Sequence, residues 1–438
     1  MTEHRVAVAY SGGRDSTALL HATARAARDL GVQVLALHVH HGLSPLADDW
    51  VLHCQQQCAA WQAEGLPVRL LSVRLGGKPA KGESVEAWAR DARYLALQAM
   101  AQETGVDLIL LAHHRRDQAE TWLLQALRGA GVAGLAAMPE LAQRAGLTWA
   151  RPWLDHPREA VEAYMRAHAL NCIDDDSNSD ARFARNRIRL ELWPQLLAAF
   201  PQAENALAMS AAWSQEALAL QQEVAQDDLA MLCDAQGLRI KEWLKLSPAR
   251  RSNALRAWLQ QAAGQSAPAS LVQRLLRELP QDLTPASWPM AGGHVRRYRG
   301  RFTFTPATVA GAVQVRSAAI RIGRAGRYPL PAWGGSLLVR RVSEGGVPLA
   351  LLDGAELRER EGGEDFQRAP KSTPRSLKKA YQSAGLAAWE RAGPLLFAGE
   401  QLLFVPGLGI DARALAAPGV AQVRLTWLPD QSPLQPVD

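Results

Sequence analysis

Ser11-Gly12-Gly13-Arg14-Asp15-Ser16 sits between the apolar run Val6–Tyr10 and the apolar stretch that opens at Thr17. A short strand, two glycines and a helix start leave the chain one compact local solution, a sharp strand-to-helix turn. Glycines let backbone amides approach an anion closely, and a helix N-terminus adds unpaired N–H groups with a favourable dipole. The segment therefore reads as a phosphate cradle. No lysine stands where G-x-x-x-x-G-K-[ST] requires one, which excludes the phosphate loop of kinases and GTPases.

The pattern repeats up to about Phe200. Strands are expected at Val6–Tyr10, Val32–Val39, Val68–Val73 and Val106–Ala112, and helices at Thr17–Leu30, Asp48–Glu64, Ser84–Thr104 and Asp117–Leu127. Strands spaced by helices of this size make βαβ units and a Rossmann-like parallel sheet. In such a sheet the site lies beyond the carboxyl ends of the strands. Ser11–Ser16, His38–Ser44 and His113–Thr121 all begin at such an end.

At 438 residues the chain is long enough for more than one domain. From Gln202 to Leu279 the pattern turns mainly helical. Strand-like runs follow at His294–Phe304, Val313–Ile322 and Leu337–Val342, and a small α+β region closes the chain, with a helix at Leu377–Ser383 and strands at Leu395–Phe397 and Gln401–Phe404. The expected division is 1–200, 201–310 and 325–428, with an unstructured tail from Pro429. Four cysteines are too few for a disulfide framework, and Cys54 and Cys58 read as packed thiols. No apolar stretch reaches the length of a bilayer span, so no membrane partner and a cytoplasmic setting are expected. A net charge of +6 favours an anionic partner.

Three further segments bear chemistry. His38-Val39-His40-His41 leaves the second strand where nucleoside contacts are expected, and alternation places His41 opposite His38 and His40. Within His113–Thr121, a helix beginning near Asp117 would use that carboxylate as its cap and bring Asp117 and Glu120 to one face. Asp174–Asp180 leads into Arg182, Arg185, Arg187 and Arg189, a density of arginines that suits phosphate or nucleic-acid contact. Basic runs also occur at Arg296–Arg301 and at Lys371, Arg375, Lys378 and Lys379.

The loop Ser11–Ser16 resembles the S-G-G-x-D-S signature of the PP-loop ATP pyrophosphatases. With His38–Ser44, Ala89–Tyr94, His113–Thr121, Arg128–Gly131, Arg151–Leu154, Asp174–Arg189 and Ser376–Lys379, the chain resembles the bacterial tRNA(Ile)-lysidine synthases. The resemblance implies a PP-loop catalytic domain, a substrate-binding domain and a tRNA-binding domain. It also implies ATP and Mg²⁺, a tRNA(Ile) with a CAU anticodon and free L-lysine as partners, and leaves a homodimer open. ATP would adenylate the wobble cytidine, and lysine would displace AMP to form lysidine. Ser11, Gly12, Gly13, Arg14, Asp15, Ser16, His38 and His41 would then face ATP, with Asp15 as a metal contact. Asp15, His114, Asp117, Glu120 and Arg185 would carry the chemistry. Arg116 and Asp117 stand where paired aspartates are usual, and Cys172 and Phe183 replace a tryptophan and a tyrosine.

Overall fold

The computed structural model describes residues 4–42, 44, 46–77, 85–174, 182, 184–281, 284–306, 317–386 and 391–430. The expectations for Asp175–Asp180, Phe183, the helix start at Ser84, the first residues of Val313–Ile322 and the tail beyond residue 430 lie outside the described residues. The chain forms two compact units, Met1–Gln222 and Glu223–Asp438.

In the first unit β1 (Arg5–Ala9), α1 (Arg14–Leu30), β2 (Gln33–His40), α2 (Ala47–Ala63), β3 (Val68–Arg74), α3 (Val85–Glu103), β4 (Leu108–Leu110) and α4 (Arg115–Leu127) alternate as expected. After a short α5 (Val132–Leu135), a hairpin of β5 (Leu141–Arg144) and β6 (Leu147–Ala150) completes the sheet. Strand order is β3-β2-β1-β4-β6-β5, parallel throughout except for β5 at the edge. Alternation sends Val8, Val34 and Ala36 to α1 and α2, and Ala7, Leu35, Leu37 and Ile109 to α3, so both faces are buried. The strand order reverses between β1 and β4, which opens a crevice at their carboxyl ends. Both chemistry-bearing turns, Ser11–Ser16 and His113–Asp117, lie there.

Along α6 (Arg158–Ala167), α7 (Ala184–Arg187), a π-helical turn (Ile188–Leu192), α8 (Trp193–Ala199) and the start of α9 (Ala203–Leu232), the chain returns across this end of the unit. Ile188 and Trp193 both enter one cluster with Ala119 of α4. Five residues apart, they would diverge on a regular α-helix; the wider π turn keeps both on the core side.

In the second unit the expected helical region is confirmed at Pro248–Ala263 and Ala269–Glu278, but these helices pack on a five-stranded antiparallel sheet around Trp243, Trp288 and Phe302. The run His294–Phe304 is not one strand: Gly293–Tyr298 and Arg301–Pro306 form a hairpin, because Arg299 and Gly300 turn with φ of 46° and 72°. The remainder packs a five-stranded and a four-stranded antiparallel sheet about one core including Leu337, Val339, Leu396 and Leu425. The helix Leu377–Ala384 docks beside them on Phe366 and Leu395. Among the described residues no helix is long and apolar enough to cross a membrane.

Candidate active site

Gly13 is the N-cap of α1 but supplies no capping side chain, which leaves the first-turn amides to an external acceptor. The loop is set by its own hydroxyls. Ser16 Oγ donates to the Gly13 carbonyl at 2.9 Å, lies 3.0 Å from Ser11 Oγ and accepts the Ser11 amide at 3.2 Å. Fully buried Thr17 donates Oγ1–H to the Gly12 carbonyl at 3.1 Å. From outside, the Ile173 amide donates to the same carbonyl at 2.9 Å, and Cys54 packs beneath. Burial pushes the Cys54 and Cys58 thiols up to about 12, so both act as packing groups.

α4 begins earlier than its sequence suggests. His114, not Asp117, is the N-cap, and Asp117 occupies the third helical position. The Asp117 amide donates to His114 Nδ1 at 3.4 Å, while Asp117 Oδ2 accepts the His114 amide at 3.1 Å. This reciprocal box still uses the Asp117 carboxylate as a cap, from inside the helix. His114 Nε2 faces Asp15 Oδ2 at 3.8 Å and so links the cradle to α4.

Asp117 and the fully buried Glu120 meet two guanidinium groups. Arg189 donates Nε to Glu120 Oε1 at 2.9 Å and Nη2 to Oε2 at 2.7 Å, a bidentate pair. Arg185 donates Nε to Glu120 Oε2 at 3.2 Å, and Nη2 of each arginine reaches Asp117 Oδ1 at 3.3 Å. Burial works to raise the Asp117 pKa, but His114, Arg185, His113 and the His114 amide outweigh it and hold the carboxyl below its ordinary range.

Residues 1–196 match the model of the PP-loop domain, 238–303 that of the TilS substrate binding domain and 355–427 that of the TilS substrate C-terminal domain. The tRNA(Ile)-lysidine synthase of Ralstonia nicotianae is 44% identical, across 97% of this chain and 92% of the relative. That of Burkholderia mallei is 38% identical across 97% and 93%, and that of Alkalilimnicola ehrlichii 39% across 94% and 91%. The chain belongs to the tRNA(Ile)-lysidine synthase family.

As a member of that family it is a ligase-type, tRNA-modifying enzyme with an ATP-using PP-loop domain. The structure brings Ser11–Ser16, His114, Asp117, Glu120 and Arg185 to one crevice. Arg14 is drawn to its rim, donating to Glu162 at 2.9 Å and to Asp15 at 3.2 Å. His38 is buried below the loop, where its Nδ1–H donates to the Tyr10 carbonyl at 3.0 Å and burial lowers its pKa. His41 follows β2 and is partly exposed. Arg185 and Arg189, both from the arginine-rich stretch, pair with Glu120 and Asp117, a partnership that only the folded π turn shows. Ile173, the clamp on Gly12, carries no chemical signature in the sequence.

Further along the chain, Arg296–Arg301 is only in part an open basic face. Buried Arg297 donates to the carbonyls of Thr284 at 2.9 Å and Glu278 at 3.2 Å and lies over Trp288, and Arg301 pairs with Asp234.

Proposed function

We propose that this enzyme adenylates the C2 carbonyl oxygen of the wobble cytidine in a CAU-anticodon isoleucine tRNA, releasing pyrophosphate, and then joins free lysine at C2 with loss of AMP. The product, lysidine, changes reading from AUG to AUA. The observation that carries this reading is the placement of an anion cradle and an arginine-paired set of two carboxyl groups at neighbouring strand ends, joined through Asp15 and His114 at 3.8 Å. A carbonyl activated by a nucleotide at the first can meet an amine held at the second.

Gly12, Gly13 and Ser16 hold the phosphates, with Ser11 fixing Ser16 and Arg14 at the rim. His38 holds the carbonyl that enters the loop, and His41 is assigned to the nucleoside side. Asp117 and Glu120 receive the lysine ammonium. His114, Arg185 and His113 hold the Asp117 carboxyl in the charged form that attracts a cation, while Arg189 and Arg185 pair with Glu120. The attacking amine must shed a proton first, to a carboxylate of this pair or to His114 beside it.

Mg²⁺ needs only one or two carboxylates beside substrate phosphates. Asp15, at the first turn of α1 and about one-third exposed, offers one. It would hold the ion, which supplies charge neutralisation on the phosphate chain. Regions 201–310 and 325–428 are assigned to tRNA, in keeping with the two substrate-domain matches. The cytoplasm, which holds tRNA, ATP and lysine together, is the proposed location.

Incubation with ATP, radiolabelled lysine and bulk tRNA tests the reading. Label attached to an isoleucine tRNA and stable to mild alkali is expected; label released by mild alkali would mean ordinary aminoacylation and overturn it. Asp117→Asn should raise the KM for lysine and leave tRNA affinity unchanged.

A further inference from the structure

Arg116 stands where the family resemblance leads one to expect an acid, and it pairs with neither Asp117 nor Glu120. Its Nε donates to Glu204 Oε2 at 2.9 Å, its Nη2 to Glu159 Oε1 at 3.0 Å, and its guanidinium lies 5.7 Å from the Trp193 ring centroid. Arg115 joins the same anchor, donating Nε to Glu204 Oε1 at 3.2 Å, while its backbone amide donates to the His156 carbonyl at 2.9 Å. The Arg116–Glu204 pair is largely withdrawn from water, its side chains 15% and 10% exposed, whereas Glu159 holds the outer side of the guanidinium from an exposed position. Glu159 lies in the first turn of α6 and Glu204 in that of α9. The first turn of α4 is thus tied to α6, α8 and α9, and this turn also carries His114 and Asp117, with Glu120 one turn on.

We propose that Arg116 is a positioning residue for lysine. By bridging Glu204 and Glu159 it fixes the first turn of α4 so that Asp117 and Glu120 present their carboxylates together, and an acid at this position takes no part in lysine binding in this chain. The inference rests on the reading that these two carboxylates receive lysine. A planar guanidinium presents separate N–H donors in fixed directions, so that it can serve two carboxylates and lie against an aromatic face without rearrangement; an ammonium is a compact point charge on a flexible stem.

The deciding variant is Arg116→Asp, which installs the acid expected from the family. It would place a third carboxylate between Glu204 and Glu159, and repulsion would release the turn. The expected result is a KM for lysine raised about tenfold or more, with the KM for ATP and tRNA affinity within about twofold of the parent. Arg116→Met keeps bulk over Trp193 without charge and should show the same split, more mildly, should the aspartate variant fold poorly. Arg116→Lys, which retains the charge but not the fixed planar fork, should recover part of the loss.

An unchanged or lowered KM for lysine in Arg116→Asp would overturn the proposal. So would an equal fall in kcat with every KM unchanged, the mark of a structural role alone. Asp117→Asn, measured in parallel, separates the two readings. If it raises the lysine KM and Arg116→Asp does not, only the role of Arg116 falls. If it too leaves the lysine KM unchanged, the lysine assignment falls and takes this inference with it.

Discussion

Gly12 bears the tightest steric constraint in the crevice. Its φ is 83°, and a β-carbon there would lie 2.4 Å from Ile173 Cδ1 and 3.0 Å from Cys54 Sγ. Gly12→Ala is expected to cost about 1–3 kcal/mol in urea unfolding, from strain and overpacking together, and to weaken ATP use further by moving the cradle amides. Gly13 is freer, since its added carbon would meet only Ser11 Oγ at 3.3 Å. A wild-type unfolding midpoint in Gly12→Ala would contradict the clamp. His113 gives a second residue-level test. Its Nδ1 is buried and meets no hydrogen-bonding atom among the described residues. Burial pushes its pKa down to about 3, with Asp117 opposing and Arg151, Arg185 and Arg90 assisting. The folded protein therefore binds this proton less readily than the unfolded chain. The stability linked to neutral His113 is complete above the ordinary histidine pKa and is lost as pH falls toward 3. Denaturant titrations between pH 7 and pH 5 should show a smaller decline in His113→Gln than in the parent, by up to about 1.4 kcal/mol per pH unit. Equal declines would remove His113 from the account. The cradle could be read from sequence because glycines, hydroxyls and a helix start are local signals. Ile173 could not, since an apolar residue far along the chain announces no partner.

The junction of α4 with the π turn is a desolvated ion cluster, and its energetics follow from that. Glu120 is fully buried and pairs with both Arg189 and Arg185. Removing one partner strands the other in low dielectric, whereas removing both leaves nothing uncompensated. Arg189→Met and Glu120→Gln are each expected to lose about 3–5 kcal/mol in chemical denaturation, and the double variant less than the sum of the two. Additive losses would mean the cluster is solvated. Activity should vanish in all three. The same junction shows where sequence reading stops. The alternation of strands and helices exposed β1 to β4 and α1 to α4, because burial on both sheet faces imposes apolar runs. The N-cap of α4 lies three residues before Asp117, which resembles a cap in sequence, because the true N-cap is a histidine, an uncommon residue there. The hairpin of β5 and β6 and the split of His294–Phe304 turn on positive φ at Ala145, Gly146, Arg299 and Gly300, and an alanine or arginine gives no warning of that. The π turn is set by the need to bury both Ile188 and Trp193, a tertiary demand invisible to helical periodicity.

Across the whole chain the charge is unevenly committed. The net +6 hides arginines of two kinds. Arg185, Arg189, Arg115, Arg116, Arg250 and Arg413 answer carboxylates, and Arg297 answers carbonyls, so these carry little charge to a polyanion. Arg340 and Arg424 differ. They lie directly opposite in antiparallel register, both exposed, on strands without an acidic residue. Like charges in that register destabilise a sheet unless an anion lies over them. Their strands belong to the region assigned to tRNA, and the ATP crevice belongs to the other unit. Salt should therefore act on the two substrates unequally. Phosphate contacts made by exposed arginines release counterions, so tRNA affinity is expected to fall about tenfold or more between 50 and 200 mM salt. The cradle proposed for ATP offers backbone amides in place of exposed arginines, and the KM for ATP should change much less over that range. Replacing Arg340 and Arg424 together by glutamine should flatten the salt slope for tRNA, leave the KM for ATP unchanged and raise the thermal midpoint slightly, because the repulsion between them disappears with the charge. A double variant that keeps the parental slope would show that the polyanion rests on another face.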